Sequence, residues 1–389
     1  MDLPSFQHIT PPLRLYSGGD CLNHLGRELE RLGSTRAVGV CGSSLARNPV
    51  LDLVRGAMGD RCAGVFSGVR AQSPRPAVEA AAAELKRLEA DAVVVVGGGS
   101  AIVTARAASI LVAEGGDLEA LSTSRDAQGR LHSPRLLAPK LPQLIVLTTP
   151  TTAAVKAGSA VFDPVSKRRL ALFDPKTRVQ SLFIHPALIR SAPRELVLSA
   201  GLDTLSLAVE GLTSRTGNPL ADALLMHAVR LLALRLPDAA IGQDPRVRGE
   251  LILAAVLCGQ GTDHTGAGIA TVLGHAIGAN HNVENGIAKA IMLPHALRFN
   301  AEASAPGLQK AASALGLAAE NPGTLEWITA SLDRVFTSVG APRRLREVGI
   351  EKEDLNEIAA RGMSDWFLQG NPRSVTGASE LRDVLEQAW

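Results

Sequence analysis

A run of glycines is the clearest place in this sequence where the backbone could bind a ligand. Gly97, Gly98, Gly99 and Ser100 follow the apolar run Val93–Val96 and precede a segment with helical composition. Glycines allow a backbone to approach a ligand closely, and a helix start offers free N–H groups and partial positive charge. This pattern predicts a phosphate site, although a tight strand–helix turn without a ligand would look similar. The turn matches neither GxGxxG nor a Walker loop.

A second polar turn follows another apolar run farther along the chain. Thr148, Thr149, Pro150, Thr151 and Thr152 come directly after the segment LPQLIVL. Their hydroxyls could hydrogen-bond a cofactor, although threonines also cap helices. We therefore include Thr148, Thr151 and Thr152 among the predicted cofactor-binding residues.

The elements that must position these turns alternate between strand and helix in the first half of the chain. Apolar runs at 37–42, 62–69, 91–100 and 141–152 predict strands, a loop is expected at 124–140, and 160–175 predicts a β-hairpin. Strands separated by helices imply a parallel sheet. After Pro186 long Ala/Leu-rich segments dominate. We predict an α/β domain over 1–187 and a helical domain over 188–389.

Composition narrows the function classes. The chain has 389 residues, 40 basic and 38 acidic side chains, and only 3% aromatic residues. This balance gives no electrostatic case for nucleic acid or anionic membranes. The apolar runs look too short to span a bilayer, and the N-terminal residues lack the apolar core of a secretory signal. Four cysteines without CxxC spacing suggest reduced thiols, so we expect a cytoplasmic protein.

Taken together, these features resemble the iron-containing (group III) alcohol dehydrogenase superfamily over nearly the whole chain. Both turns, GLDTLSLAVEG (201–211) and LGHAIGANHNVENGIAKAIMLPHALRFN (273–300) occur in that family's order and spacing. VFSGVRAQSP (65–74) and the C-terminal NPRSVTGASELRDVLEQAW are similar to the maleylacetate reductase branch. The resemblance implies a dehydroquinate synthase-like architecture, in which a Rossmann-like α/β domain binds NADH or NADPH. It also implies an all-α C-terminal domain, an active site in the cleft between the domains, and a homodimer.

The chain departs from this family at the metal ligands. Members that use a metal supply one aspartate and three histidines, and only the aspartate is matched, by Asp203. Leu207, Thr271 and Asn285 stand at the three histidine positions. Iron and zinc sites prefer imidazole or thiolate ligands. We therefore expect no tightly bound transition metal.

Departures also occur around the two turns. The threonine turn continues as 153–158, AAVKAG, where the family has Thr-Gly-Ser-Glu, and this places Lys156 beside the expected nicotinamide. Lys156 could anchor a substrate carboxylate or form a surface salt bridge. Val103 and Arg106 replace the acidic residue and lysine usual after the glycine turn. Gly42 stands where many relatives carry a ribose-binding aspartate, so NADPH is accommodated as well as NADH.

Catalytic candidates follow from the same comparison. His275 matches a family histidine that lies beside the metal, and it could stabilise an oxyanion and give a proton, because histidine titrates near neutral pH. His281, Glu284 and Asn285 form either a polar pocket rim or a solvated loop. Asp203, without a metal, needs a new partner or a proton; it could act as an acid/base group or cap a helix.

The predicted function is metal-independent, NAD(P)H-dependent reduction of a small activated carbonyl, a keto acid. Two alternatives stay open: a non-redox dehydratase, isomerase or cyclase that uses the vacated metal site, and a degenerate homologue that only binds a ligand. Asp263 and His264 are a further polar pair near the expected cleft. His275 and His281, or His264, could rebuild a metal site.

Overall fold

The computed structural model describes residues 5–126, 130–317 and 323–389. These form two compact units: Pro11–Pro193, and Arg194–Trp389 together with the described residues up to Thr10. The N-terminal segment belongs with the second unit because the His8 ring stacks on His264, with centroids 3.9 Å apart, and His8 bonds the Asn218 side chain. The division falls a few residues beyond the boundary predicted near 187.

The first unit is built around a parallel sheet. Its described strands are β1 (Arg14–Ser17), β2 (Ala37–Gly42), β3 (Cys62–Val69), β4 (Ala92–Gly97), β5 (Ser124–Arg125), β6 (Leu131–His132), β7 (Gln143–Leu147), β8 (Gly158–Asp163), β9 (Arg168–Phe173) and β10 (Ser181–Ile184). The sheet order is β1-β10-β7-β4-β2-β3, and every pairing within it is parallel. β5 and β6 form a short antiparallel pair, as do β8 and β9.

Helices cover this sheet. They are α1 (Leu25–Arg31), α2 (Ser43–Ala46), α3 (Leu51–Met58), α4 (Arg75–Arg87), α5 (Gly99–Glu114) and α6 (Pro186–Arg190). Leu25 and Leu29 of α1 share a buried core with Val94, Val96 and Phe183 of the central strands. The Val-rich β4 is buried along its length, as expected for a strand that is covered on both faces.

The prediction for 124–140 was partly wrong. β5 and β6 lie in this segment, which was expected to be a loop, while residues 127–129 lie outside the described part of the chain. Each of these strands has only two residues, so no alternating pattern marks them. The predicted hairpin at 160–175 is confirmed by β8 and β9.

The second unit is helical. Its described helices are α7 (Arg194–Thr213), α8 (Pro219–Ile241), α9 (Pro245–Thr265), α10 (Ile269–Asn280), α11 (Asn285–Asn300), α12 (Ala305–Ala314), α13 (Thr324–Ser338), α14 (Leu355–Gly362) and α15 (Ala378–Ala388). α7 lies at the centre and contacts α8, α9, α10, α11 and α12.

α7 also qualifies one expectation from the sequence. This helix is long and apolar enough to cross a membrane by length and composition, whereas the apolar runs looked too short. However, 83% of the apolar stretch in this helix is buried inside the protein. Its apolar surface therefore packs against neighbouring helices, as in a core helix.

Candidate active site

The two polar turns lie side by side at one edge of the parallel sheet. β4 and β7 are neighbouring strands in which Gly97 pairs with Leu147, and the Thr148 N–H donates to the Gly97 carbonyl at 3.1 Å. β2 pairs with β4 on its other side and ends at Gly42. Because the carboxyl ends of parallel strands meet at one edge, these three chain segments border one surface, where open α/β sheets bind ligands.

The glycine turn packs closely against the threonine turn at Gly98 and, less tightly, at Gly99. A Cβ at Gly98 would lie 2.2 Å from Thr149 Oγ1, and one at Gly99 would lie 3.3 Å from Thr151 Oγ1. Gly97 adopts φ 151°, a conformation that disfavours other residues. The glycines therefore allow the two turns to pack closely, and they also leave their own backbone accessible to a ligand.

The start of α5 has the properties of an anion site. Gly98 is its N-cap and provides no capping side chain, so the N–H groups of the first turn are left for another acceptor. The Thr151 hydroxyl instead accepts from the Ala153 N–H at 3.3 Å and caps the 3-10 helix Thr152–Ala154. Thr151 therefore has the capping role that was the alternative considered for this turn.

Arg106 fixes the backbone that follows the threonine turn. Its guanidinium is fully buried and donates to the carbonyls of Ala153 and Gly158, each at 2.8 Å. Lys156 lies within the segment that is held in this way. Arg106, which replaces a lysine usual after the glycine turn, thus positions this loop.

The segment at Gln72 and Ser73 also contacts the glycine turn, which was not expected from the sequence. Ser73, which is buried, donates from its hydroxyl to the Ser100 carbonyl at 2.9 Å. Gln72 and Ser73 adopt φ 61° and 49°, a region that side chains other than glycine rarely occupy. Such strain persists only where surrounding contacts fix the backbone, and it is common at functional sites. No property of these two residue types predicts this conformation.

In the helical unit, Asp203 has a cationic partner. Asp203 lies on α7 and its carboxylate is 2.7 Å from the Nζ of Lys289 on α11. The lysine side chain is 4% exposed and the aspartate side chain 27% exposed. A new partner or a proton was expected for Asp203 without a metal, and Lys289 was not identified from the sequence as that partner. Lys289 is a lone charged residue in an apolar stretch of helix, and such a residue is rarely buried unless it is paired. This pattern could have indicated that Lys289 has an acidic partner.

Two glycines make this ion pair possible. A Cβ at Gly286 would lie 1.8 Å from the Ser199 carbonyl oxygen, so only glycine lets α11 approach α7 this closely. A Cβ at Gly274 of α10 would lie 2.6 Å from the Cγ of Lys289. The absence of side chains at these positions therefore makes room for the lysine stem and brings its helix within reach of Asp203.

Glu210 lies two turns after Asp203 on α7 and is buried. It accepts hydrogen bonds from the Ala270 N–H at 2.7 Å, the Thr271 N–H at 3.1 Å and the Thr271 hydroxyl at 2.6 Å. Burial raises the pKa of this carboxyl, while the hydrogen bond from Thr271 and the charge of Lys289 oppose that rise. Glu210 thus satisfies the first N–H groups of α10 and orients Thr271.

These contacts do not fit the metal ion that the sequence resemblance implies. Asp203 is bound to an ammonium, Leu207 is apolar and buried, and the Thr271 hydroxyl donates to Glu210. The Asn285 amide oxygen lies against Gly278, 2.4 Å from where a Cβ would stand. Within 5–126, 130–317 and 323–389, no three His, Cys, Asp or Glu side chains are grouped to hold a metal. The donor set is therefore wrong for a transition metal of the usual kind.

His275 belongs to a separate polar contact on α10. Its Nδ1 is 2.9 Å from the Asp365 carboxylate, and its ring lies near Trp366 and Phe367. Asp365 is held in turn because its other oxygen accepts from the Phe367 N–H at 2.9 Å. A carboxylate on one ring nitrogen fixes the tautomer and orientation of a histidine. This arrangement suits a group that must present a proton in a defined direction.

The other predicted polar residues are less enclosed. His281 lies 3.8 Å from the Asp354 carboxylate, and Glu284 is an exposed N-cap of α11 whose side chain makes no cap hydrogen bond. His264 stacks on His8. Glu284 is therefore solvated, whereas His281 is partly buried beside Asp354.

Comparisons with known proteins agree with this architecture. A family model described as iron-containing alcohol dehydrogenase matches residues 12–186, and the C-terminal model of the Fe-containing alcohol dehydrogenase family matches 197–389. Lactaldehyde reductase of Escherichia coli (strain K12) is 29% identical over 96% of this chain and 97% of its own. Maleylacetate reductase 1 of Cupriavidus pinatubonensis is 27% identical over 97% of this chain and 95% of its own. The solved alcohol dehydrogenase from Oenococcus oeni has a TM-score of 0.89 at 21% identity, covering 99% of this chain and 100% of that one.

Proposed function

Because this chain belongs to the iron-containing alcohol dehydrogenase family, and so is an oxidoreductase, we propose that it is a metal-independent reductase using NADH or NADPH. Its substrate is a small activated carbonyl compound, a keto acid. The observation that carries this proposal is the ion pair between Asp203 and Lys289. The carboxylate that metal-using members give to the metal is bound here to a cation of the protein.

The two turns of the sheet supply the nucleotide site in this proposal. A nucleotide supplies the hydride, and the chain holds its phosphates on the open N–H groups at the start of α5. Gly42 at the end of β2 presents no carboxylate to a ribose, so a 2′-phosphate is not repelled. We therefore expect both NADH and NADPH to bind.

We propose an activated carbonyl as the substrate because an electron-poor carbonyl carbon accepts hydride more easily. A metal ion contributes several kcal/mol of charge stabilisation to a reacting oxygen. A carbonyl next to a carboxylate is already electron-poor, so its reduction depends less on such help than oxidation of a simple alcohol does. His275, oriented by Asp365, gives the proton that completes the product hydroxyl.

Non-redox acid/base chemistry is less well supported by the same residues. Two buried or partly buried carboxyl groups that could accept a proton from a substrate already have partners. Asp203 is ion-paired with Lys289, and Glu210 is occupied by Thr271 and the first N–H groups of α10. We therefore favour reduction. From the family relationship we also propose a cytoplasmic homodimer.

The proposal is tested on protein that has been treated with a chelator and checked by elemental analysis. NADH and NADPH are titrated by nicotinamide fluorescence, and then consumption of the reduced nucleotide is followed with a panel of keto acids. We expect micromolar nucleotide binding and turnover that neither the chelator nor added Fe²⁺ or Zn²⁺ changes. Failure of both nucleotides to bind would refute the redox function, and turnover only after metal addition would refute metal independence.

A further inference from the structure

We propose that Lys289 is a catalytic residue whose ammonium polarises the substrate carbonyl, in place of the metal ion of other family members. This inference rests on the proposed reductase function and assigns the group that stabilises charge in it. Its starting point is geometric, because the Lys289 Nζ lies 2.7 Å from the carboxylate that aligns with the family's metal-binding aspartate. A fixed positive charge therefore lies beside that ligand position.

The surroundings of the pair leave one side accessible. The lysine side chain is enclosed, at 4% exposure, while Asp203 is 27% exposed. An ammonium carries three N–H donors, and its ion pair with Asp203 leaves donors for a further acceptor. Within the described residues the ammonium has no second hydrogen-bond partner, so a substrate oxygen that enters beside Asp203 can accept from it.

The lysine is also held in place more firmly than a surface ion pair would require. Its stem lies against the backbone of Gly274, and α11 is drawn onto α7 at Gly286. Desolvation of an ammonium is costly and is offset here by Asp203 at contact distance and by the charge of Glu210 nearby. A donor that is fixed before the substrate arrives needs no reorganisation during the reaction, which is the condition for efficient oxyanion stabilisation.

The chemistry balances with groups already named. Hydride from the reduced nicotinamide forms a C–H bond at the carbonyl carbon, and the C=O π electrons move onto oxygen. The resulting alkoxide is stabilised by the Lys289 ammonium and takes a proton from His275. The nicotinamide leaves oxidised, and solvent returns a proton to His275. His275 follows Gly274 directly, so the proposed proton donor is next in sequence to the residue that Lys289 packs against.

Three substitutions test this role. Lys289→Met keeps most of the stem and removes the charge, Lys289→Ala leaves space for an added amine, and Lys310→Met is the control. Lys310 also forms an ion pair at 2.7 Å in the helical unit, with Asp222, but its side chain is 41% exposed. We expect Lys289→Met to lower kcat by about 100-fold or more, the usual effect of losing one oxyanion donor. Nucleotide Kd and the unfolding midpoint are measured for each variant.

Rescue separates a catalytic role from a structural one. We expect ammonium or methylamine to restore part of the turnover of Lys289→Ala in a concentration-dependent way, and to leave Lys310→Met unchanged. Wild-type kcat in a folded Lys289→Met protein would refute the role of Lys289 while leaving the reductase function intact. Loss of kcat without rescue, together with a lowered unfolding midpoint, would also refute it, because the lysine would then be structural. A wild-type protein that reduces no keto acid would refute both proposals.

Discussion

Gly98 is the residue at which a single added carbon should change the proposed nucleotide site most. Its missing Cβ would lie 2.2 Å from Thr149 Oγ1, and Thr149 is buried, so its hydroxyl must be displaced by a larger side chain. We predict that Gly98→Ala raises the Kd for NADH at least tenfold, which corresponds to about 1.4 kcal/mol. Fluorescence titration measures this change, and circular dichroism checks the fold.

A second substitution gives this prediction its control. Thr149→Ala removes the hydroxyl and leaves the Thr149 Cβ 3.5 Å from the added carbon, an ordinary contact. The double variant Gly98→Ala/Thr149→Ala should therefore bind NADH more tightly than Gly98→Ala alone. If Gly98→Ala binds like the wild type, the two turns do not form the nucleotide site.

Some residues of the candidate site could be predicted from the sequence, and others could not. The glycine turn was identifiable because its residue types have a direct meaning for backbone geometry. The resemblance also predicted that Leu207, Thr271 and Asn285 stand at three metal-ligand positions. Lys289 was not identified, because its role depends on a helix crossing that Gly286 permits, and no local pattern encodes the partner of a buried charge.

At the scale of elements, the close crossing of α11 and α7 brings Lys289 next to Asp203. A methyl group at Gly286 would lie 1.8 Å from the Ser199 carbonyl oxygen, and backbone cannot yield as a flexible side chain can. We predict that Gly286→Ala destabilises the protein by about 1–3 kcal/mol, the range for overpacked interiors. Urea denaturation followed by circular dichroism measures this loss.

The matched control is another helical glycine with open space. A Cβ at Gly56 of α3 would meet nothing within 4 Å. Gly56→Ala should leave the midpoint unchanged or raise it slightly, because alanine has the higher helix propensity. Equal midpoints for the two variants would show that α11 can move away from α7 without cost.

Elements differed in how well the sequence indicated them. β4 and β7 were predictable because long apolar runs without polar interruption are typical of strands buried on both faces. β1 and β10 were missed, since each has only four residues. They form strands because β1 pairs with β10 and β10 pairs with β7. These partners are far apart in the sequence, and four residues are too few to show a strand pattern.

The stability of the whole molecule should depend on pH through His295. This residue lies on α11, and burial together with the charges of Arg298, Arg344 and Arg343 lowers its pKa from 6.5 to about 4. The unfolded chain binds a proton as the pH falls below 6.5, while the folded protein does not until near pH 4. Stability contributed by the neutral imidazole is therefore lost over that interval, on the order of 3 kcal/mol in total.

We predict that His295→Gln flattens the pH dependence of unfolding between pH 6.5 and 4. His132→Gln, at an exposed position in β6, should keep the wild-type slope. Urea midpoints collected at several pH values test both variants. A wild-type slope in His295→Gln would mean that other groups govern acid unfolding.

The contact between Lys289 and Asp203 also constrains the evolutionary routes open to this chain. A histidine arising alone at Leu207, Thr271 or Asn285 would meet an ammonium where a metal ion should bind, and would gain nothing. Loss of Lys289 alone would leave the Asp203 carboxylate without its counterion and without three of the ligands needed to recruit a replacement. Neither first mutation alone therefore restores a metal site. Under the proposed role of Lys289, we expect descendants of this chain to keep the lysine while their surfaces diverge.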